Sequence, residues 1–324
     1  MVKFKVNGEE FFIRRYKKGD ENYLLLMINK IYNINTALDY WNWKYKQNPA
    51  GFSIIVLLNK EGKIIGQIGH QFKKGYYYGE ICPFFMGVDI CLMENYRGFG
   101  LFSKLVDQIP HYHTKNPFFY YGFPVRHVLN AYRKVSKHKY YENSPIQTYY
   151  LSKKYLRFLR LFNLKKSSDN LIHISEAFQI NKYDIDNLWK KKKKELEVCV
   201  VRNWEYLNWR ILNCPDKMKL LIIKNGEKTI GYFSVLIRNK ICYITDILIL
   251  NDYVNKDTIS EIEKFCFRYN SKEIRIFATD KLINKTFKDK GFLQFWLGQY
   301  IHYDGIKNSS DILHYLTYTD FDLI

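Results

Sequence analysis

The sequence has no CxxC pair and no cysteine at zinc-ligand spacing from a histidine. Its six cysteines (Cys82, Cys91, Cys199, Cys214, Cys242 and Cys266) stand far apart, which excludes a disulfide framework and a structural zinc. They are expected to be reduced and mostly buried. No apolar run approaches the ~20 residues of a transmembrane helix. The opening stretch MVKFKVNGEEFFIRRYKK is broken by charge too often to hold a signal-peptide core. A cytoplasmic protein with no membrane partner is therefore expected. Arginine is scarce too: only 12 of the 51 basic residues are Arg. The formal charge of +19 rests mainly on Lys, alongside abundant Asn, Ile and Tyr, which fits AT-rich codons better than a nucleic-acid surface. What is present is ordinary for a globular chain. With 324 residues, 47% of them hydrophobic and 26% charged, there is ample material for a core and no general disorder.

The chain repeats itself. Tyr40-Trp41-Asn42-Trp43-Lys44 is followed by Pro49, and Tyr206-Leu207-Asn208-Trp209-Arg210 by Pro215, with the same spacing, 166 residues apart. Each copy then enters a β-rich run with a turn, Glu61-Gly62 or Asn225-Gly226, between apolar stretches, which is a hairpin signal. The runs reach Gly66 and Gly231. Val88-Asp89-Ile90 answers Thr245-Asp246-Ile247, and Tyr132-Arg133-Lys134-Val135 answers Phe287-Lys288-Asp289-Lys290, the offset falling from 166 to 155. An ordered series of this kind predicts two related domains, 1–165 and 166–324, joined at the polar stretch Lys165–Asn170. Each half alternates strands and helices in a pattern that predicts an α/β (mixed α+β) architecture with a mixed sheet. The first helix is predicted at Glu21–Tyr32 in one half and at Tyr183–Glu197 in the other. Trp41, Trp43, Trp204 and Trp209 recur with the repeat and read as core anchors.

One stretch carries more chemistry than any other. Met86 to Leu92 reads as an apolar strand, Met93 to Tyr96 as a turn, and Arg97-Gly98-Phe99-Gly100 opens the amphipathic segment Leu101-Phe102-Ser103-Lys104-Leu105-Val106. Glycines at such a turn let backbone N–H groups approach an anion, and arginine adds charge-assisted bonds to phosphate. The stretch matches neither the P-loop nor the dinucleotide fingerprint.

These residues resemble the GNAT acetyltransferase superfamily, whose phosphate loop runs Gln/Arg-x-x-Gly-x-Gly/Ala after its fourth strand. Arg97, Gly98, Phe99, Gly100 and Leu101 fit that loop, and Phe102 departs from it at the last position. The resemblance implies two tandem GNAT-like domains, each a mixed, mostly antiparallel twisted sheet flanked by helices. It implies an acetyl-CoA donor with its pyrophosphate on the loop from Arg97 to Phe102, and pantetheine along Ile90, Cys91 and Leu92. Tyr132 stands where the family's tyrosine protonates the departing thiolate, although Val125 and Ser136 depart from neighbouring family positions. Glu80 and Asp89, before or on the central strand, are the carboxylates available as general base. The second half lacks the loop, reading Asn251-Asp252-Tyr253-Val254-Asn255-Lys256-Asp257, and Phe287 replaces the tyrosine. It is therefore expected to be a degenerate copy that shapes the acceptor cleft or an interface.

The implied activity is acetyl transfer to a small-molecule or peptide amine by direct attack in a ternary complex, without a metal. Nothing in the sequence opposes a homodimer. Two other readings remain open at this level: an aminoacyltransferase of the peptidoglycan cross-bridge type using aminoacyl-tRNA, and a non-catalytic basic binding module on the same scaffold. In some tandem relatives the C-terminal carboxylate enters the active site, and the tail Tyr318–Ile324 is aromatic and apolar enough to dock. The run Lys190–Lys194 reads as a solvated helix face. His111 and His113 read as surface or loop residues.

Overall fold

The computed structural model describes residues 1–109, 119–124, 145–156, 171–176, 182–304 and 315–321. The chain divides into two compact units, each built on one sheet. The first comprises Met1–Lys74, Cys82–Pro145 and Gly298–Ser309; the second comprises Gly75–Ile81, Ile146–Leu297 and Ser310–Ile324.

In the first unit, β1 (Val2–Val6), β2 (Glu9–Arg15), β3 (Phe52–Leu58), β4 (Ile64–Tyr77), β5 (Glu80–Leu92), β6 (Phe119–Gly122) and β15 (His302–Asp304) follow one another across the sheet. The pairs β1–β2, β2–β3, β3–β4 and β6–β15 are antiparallel, and β5–β6 is parallel. The β3–β4 turn contains Gly62 at φ +77°, as the Glu61-Gly62 signal predicts. Helix α1 occupies the predicted span, Glu21–Tyr32, and ends on Asn33 in the left-handed conformation. Its apolar stripe Leu24, Leu25, Met27 and Ile28 is buried.

Two helices cover opposite faces of this sheet. Helix α3 (Leu101–Val106) buries Leu101, Leu105 and Val106 against Ile13, Ile55, Leu57, Ile68 and Leu92. Strand alternation turns Phe52 away from Ile55 and Leu57. There it meets Trp41 of α2 (Leu38–Lys44) and the following Tyr45, with ring centroids at 6.2 and 5.4 Å.

The second unit repeats the plan. Its sheet runs β14 (Leu293–Tyr300), β7 (Pro145–Ser152), β13 (Glu273–Phe277), β12 (Ile241–Ile249), β11 (Lys228–Arg238), β10 (Lys219–Asn225), β8 (Ile172–Glu176). Again one central pair, β12–β13, is parallel, while β8–β10, β10–β11, β11–β12 and β7–β13 are antiparallel. Helices α4 (Lys182–Lys192), α5 (Trp204–Leu207), α6 (Lys256–Arg268) and α7 (Lys281–Asp289) complete the described helices. The short β9 (Val198–Val200) pairs with Gly75–Tyr77.

Each sheet takes a strand from the other half of the sequence. β7 belongs to the sheet of the second unit, although it precedes the Lys165–Asn170 stretch, and β15 borders β6 in the first. The Lys165–Asn170 stretch itself, with His111, His113, Val125, Tyr132 and Ser136, lies outside the described residues. Trp41, Trp43 and Trp209 are buried core anchors, while Trp204 is half-buried. All six cysteines are free and five are buried. The lysine run differs from expectation at one position: Lys192 is fully buried, donating to Asn251 Oδ1 at 2.7 Å and pairing with Glu195 at 3.0 Å.

Candidate functional site

The central strand β5 is bent where its sequence changes character. Val88 and the residues before it form a regular strand, but Asp89 adopts φ +48°, a backbone conformation that only a minority of non-glycine residues tolerate. The polar neighbours of Asp89 hold it there. Lys44 Nζ meets Oδ1 at 2.8 Å with both side chains almost buried, Tyr45 Oη donates to Oδ2 at 2.5 Å, and Gln67 Nε2 donates to the Asp89 carbonyl at 3.0 Å. The clamp needs a glycine across from it. A Cβ on Gly69 would stand 2.5 Å from Tyr45 Oη and 2.9 Å from the Val88 carbonyl.

β5 parts from its neighbour before the bend. Its parallel ladder with β6 ends at Met86↔Tyr121, whereas β5 continues to Leu92. The direction of each peptide there can be read from its contacts. A Cβ on Gly66 of β4 would lie 3.0 Å from the Cys91 carbonyl, and Met93 N donates to Ile65 O at 2.8 Å. The Cys91 and Met93 peptides therefore face β4. By alternation those of Ile90 and Leu92 face the opening. The carbonyls of these two residues are anchored: Tyr32 Oη donates to Ile90 O at 2.8 Å, and Arg97 Nε to Leu92 O at 3.1 Å. What the strand offers outward is thus a short edge of backbone groups in fixed orientation.

The edge leads into the glycine loop. Arg97 is extended, Gly98 has φ +87° and Gly100 φ +74°, and α3 starts at Leu101. A Cβ at either glycine would meet nothing within 4 Å, so the backbone there borders open space. The first helical bond is Lys104 N to Gly100 O at 3.3 Å, which leaves the preceding N–H groups without a helical acceptor. The loop suits a phosphate by its amides and by the exposed Arg97 beside them. Phe102, the departure from the loop pattern, is half-buried and packs on the core cluster rather than into the loop. Phe99 is exposed.

The other sequence candidates fall as follows. Asp89 stands at the bend with both carboxylate oxygens accepting bonds, and Glu80 is the exposed first residue of β5, nine positions earlier. Cys91 is buried, and burial, with the nearby Asp89 carboxylate, raises its thiol well above the ordinary range. Sequence reasoning passed over Tyr32, Lys44, Tyr45 and Gln67. Lys44 lay inside the repeat motif, but nothing local tied it to Asp89, 45 residues on.

The second unit has an irregularity at the matching place, without a residue at positive φ, and lacks the opening. Its ladder ends at Ile244↔Ile276 and the register shifts opposite Thr245, before Asp246. At the loop position Asn255 caps α6 with its own side chain, accepting from Asp257 N and Thr258 N at 3.1 and 3.0 Å. The amides that could meet a phosphate are taken. The gap is filled by the chain's tail. Tyr315 Oη donates to Ile247 O, the counterpart of Ile90 O, and Leu316 exchanges bonds with Thr279 at 2.8 and 3.0 Å. Thr317 Oγ1 donates to Asp246 at 2.8 Å, and the buried Arg202 joins Asp246 and Asp320. Burial raises the Asp246 carboxyl, against the opposing pull of Arg202. Arg210 donates to Thr319 O at 2.8 Å and Phe321 O at 2.5 Å. Residues 315–321 are thus core of the second unit; 322–324 lie outside the described residues. Phe287 is wholly buried against Phe292.

No protein-family model and no curated protein matches the sequence. Solved structures do match the fold. An Enterococcus faecalis V583 protein described as a probable N-acyltransferase superposes with a TM-score of 0.67 at 13% identity, covering 90% of this chain and 72% of that one. N-myristoyltransferase of Saccharomyces cerevisiae with bound myristoyl-CoA gives 0.58 at 13% identity, over 92% and 83%. A GCN5-related N-acetyltransferase from Anabaena variabilis ATCC 29413 gives 0.61 at 12% identity, over 90% and 72%. The protein has the GNAT fold in tandem, the fold of these N-acyltransferases.

Proposed function

We propose that the protein is an acyl-CoA-dependent N-acyltransferase whose first unit transfers an acetyl group to an amine, donor and acceptor being bound together. The observation that carries this reading is the divergent edge of β5 running into a loop with two left-handed glycines. Outward backbone groups at Ile90 and Leu92 suit the amides of a pantetheine arm, and the amides from Gly98 to Phe102 with Arg97 suit its pyrophosphate. The second unit, with its loop capped and its gap filled, serves as scaffold.

In this reading the amine attacks the thioester carbonyl directly. The carbonyl oxygen gains charge as the bond forms, and the Ile90 N–H stabilises it. Cys91 is no competing nucleophile, because its thiol stays protonated and lies on the opposite face of the strand from Ile90 and Leu92. Asp89 is a positioning residue: bonded to Lys44 and Tyr45, it fixes the bend that directs the Ile90 N–H outward. Tyr132 donates the proton to the departing thiolate, and the proton that the attacking amine sheds passes through water to restore the phenol, so that amide and free coenzyme A thiol leave a neutral tyrosine. The acceptor is a small amine or a peptide amine.

Calorimetric titration with acetyl-CoA is the direct test. Wild type is expected to bind one equivalent with a Kd on the order of micromolar. Gly100→Glu, which adds a side chain at φ +74° and a negative charge to the loop, is expected to bind none while keeping its circular dichroism spectrum. Absence of heat or thermal shift at millimolar acetyl-CoA, together with salt-sensitive RNA binding, would sink the reading in favour of a basic binding module.

A further inference from the structure

The opening beside β5 has a closed end, and one side chain forms it. The last paired position on β5 is Met86, so the gap begins at Gly87. Tyr120 of β6 sits across that glycine: a Cβ on Gly87 would collide with its hydroxyl oxygen and would lie 3.4 Å from Ile90 Cδ1. The phenol therefore fills the corner between the two strands, on the side of the sheet where Ile90 packs. It is held firmly there. Tyr120 is 4% exposed, and its ring meets that of the fully buried His70 edge-on, centroids 5.7 Å apart. Phe84 and Phe119, ring centroids 4.6 Å apart, pack on the preceding rung of the same ladder from the opposite face of the sheet.

A donor whose pyrophosphate lies at Gly98–Gly100 and whose arm follows Leu92 and Ile90 brings its acyl group towards Gly87. From Ile90 to Gly87 is three residues, at most ~10 Å of strand, and the near part of that distance is occupied by the thioester itself. A two-carbon acyl group ends before the phenol. A chain of eight or more carbons would have to displace a buried ring in a close-packed corner. We propose that Tyr120 sets the acyl-chain limit of this site, admitting acetyl and other short acyl groups and rejecting medium and long chains. The inference rests on the acyl-CoA reading above. It sets this chain apart from the yeast neighbour of the same fold, which holds myristoyl-CoA.

The test is a calorimetric series on the full-length protein with coenzyme A, acetyl-CoA, butyryl-CoA and octanoyl-CoA. Wild type is expected to bind octanoyl-CoA at least about tenfold more weakly than acetyl-CoA, the order of discrimination that a closed pocket gives. Tyr120→Ala is expected to bring the two within about threefold of each other, and Tyr120→Phe, which keeps the ring, to retain the wild-type ratio. Wild type binding octanoyl-CoA as tightly as acetyl-CoA would overturn the proposal, and so would a folded Tyr120→Ala that keeps the preference. If Tyr120→Ala loses its circular dichroism signal, the wild-type series and Tyr120→Leu decide between the same two outcomes. Failure of the underlying reading looks different. In that case coenzyme A itself gives no heat, whereas binding of every donor without dependence on chain length refutes only the Tyr120 limit.

Discussion

Glu21 is a carboxylate of the first unit whose charge is tied to folding. Burial alone would raise its carboxyl, but Lys46 at 2.7 Å, Tyr16 Oη at 2.5 Å and the Gly19 N–H at 2.5 Å outweigh it and hold the group at about 2, against an ordinary 4.5. A carboxylate depressed on folding contributes stability that is complete above its unfolded value and is lost as pH falls through the folded one. Urea unfolding is therefore expected to weaken between about pH 4.5 and 2, and Glu21→Gln to flatten that segment; an unchanged slope would contradict the assignment. The Lys44–Asp89 pair makes a different prediction. Lys44→Met leaves a nearly buried carboxylate with one partner fewer, which costs about 3–5 kcal/mol for a buried pair, and it loosens the bend at Asp89. Acetyl-CoA affinity is expected to fall along with stability. Mutants matched for stability elsewhere in the unit should keep that affinity. The Glu21 cluster is partly local, since Tyr16 and Gly19 lie within five residues of it, whereas Lys44 of α2 and Asp89 of β5 meet only once that helix packs on the sheet.

Elements with the same ancestry of pattern were put to different uses. β5 and β12 are both irregular at matching positions and both outrun their parallel neighbour, yet one opening is lined by outward peptides and the other is packed with the tail. The glycine loop was readable from sequence because positive φ leaves a chemical mark, as was its loss in the second half. Asn255 explains that loss at the level of bonds. The tail's destination was not readable: an aromatic, apolar segment suits any crevice, and only the Ile247 carbonyl, the Thr279 hydroxyl and N–H, and the Arg202 cluster specify this one. Removing residues 315–324 strips Arg202 and Asp246 of Asp320 and Thr317. A fall in Tm on the order of 10 °C is expected from breaking such a buried cluster. The truncated protein should still bind a single acetyl-CoA, since the second loop remains capped; a second binding event in calorimetry would contradict that.

At the scale of the whole molecule, the two units cannot be separated by one cut. A chain ending at residue 165 lacks β15, and one beginning at 166 lacks β7, which lies between β13 and β14 in its sheet. Expressed alone, 166–324 is expected to aggregate or to melt without a cooperative transition, because loss of an interior strand leaves two sheet edges unpaired. Co-expression with 1–165 should restore solubility, and cooperative melting of 166–324 alone would refute this. By itself the sequence determined what is written locally or periodically: the doubled plan, α1 at Glu21–Tyr32, the two hairpins, three of the four repeat tryptophans as core, and a glycine turn of this kind in one copy only. Hydrophobic period, turn glycines and spacing are properties of neighbouring residues, so they survive without coordinates. Tertiary structure alone decided which strand completes which sheet, which carboxylate is clamped, where the tail goes and which tyrosine closes the cleft. Those are contacts between residues tens to more than a hundred positions apart, fixed by the sum of many packing interactions, and no single segment of the chain carries them.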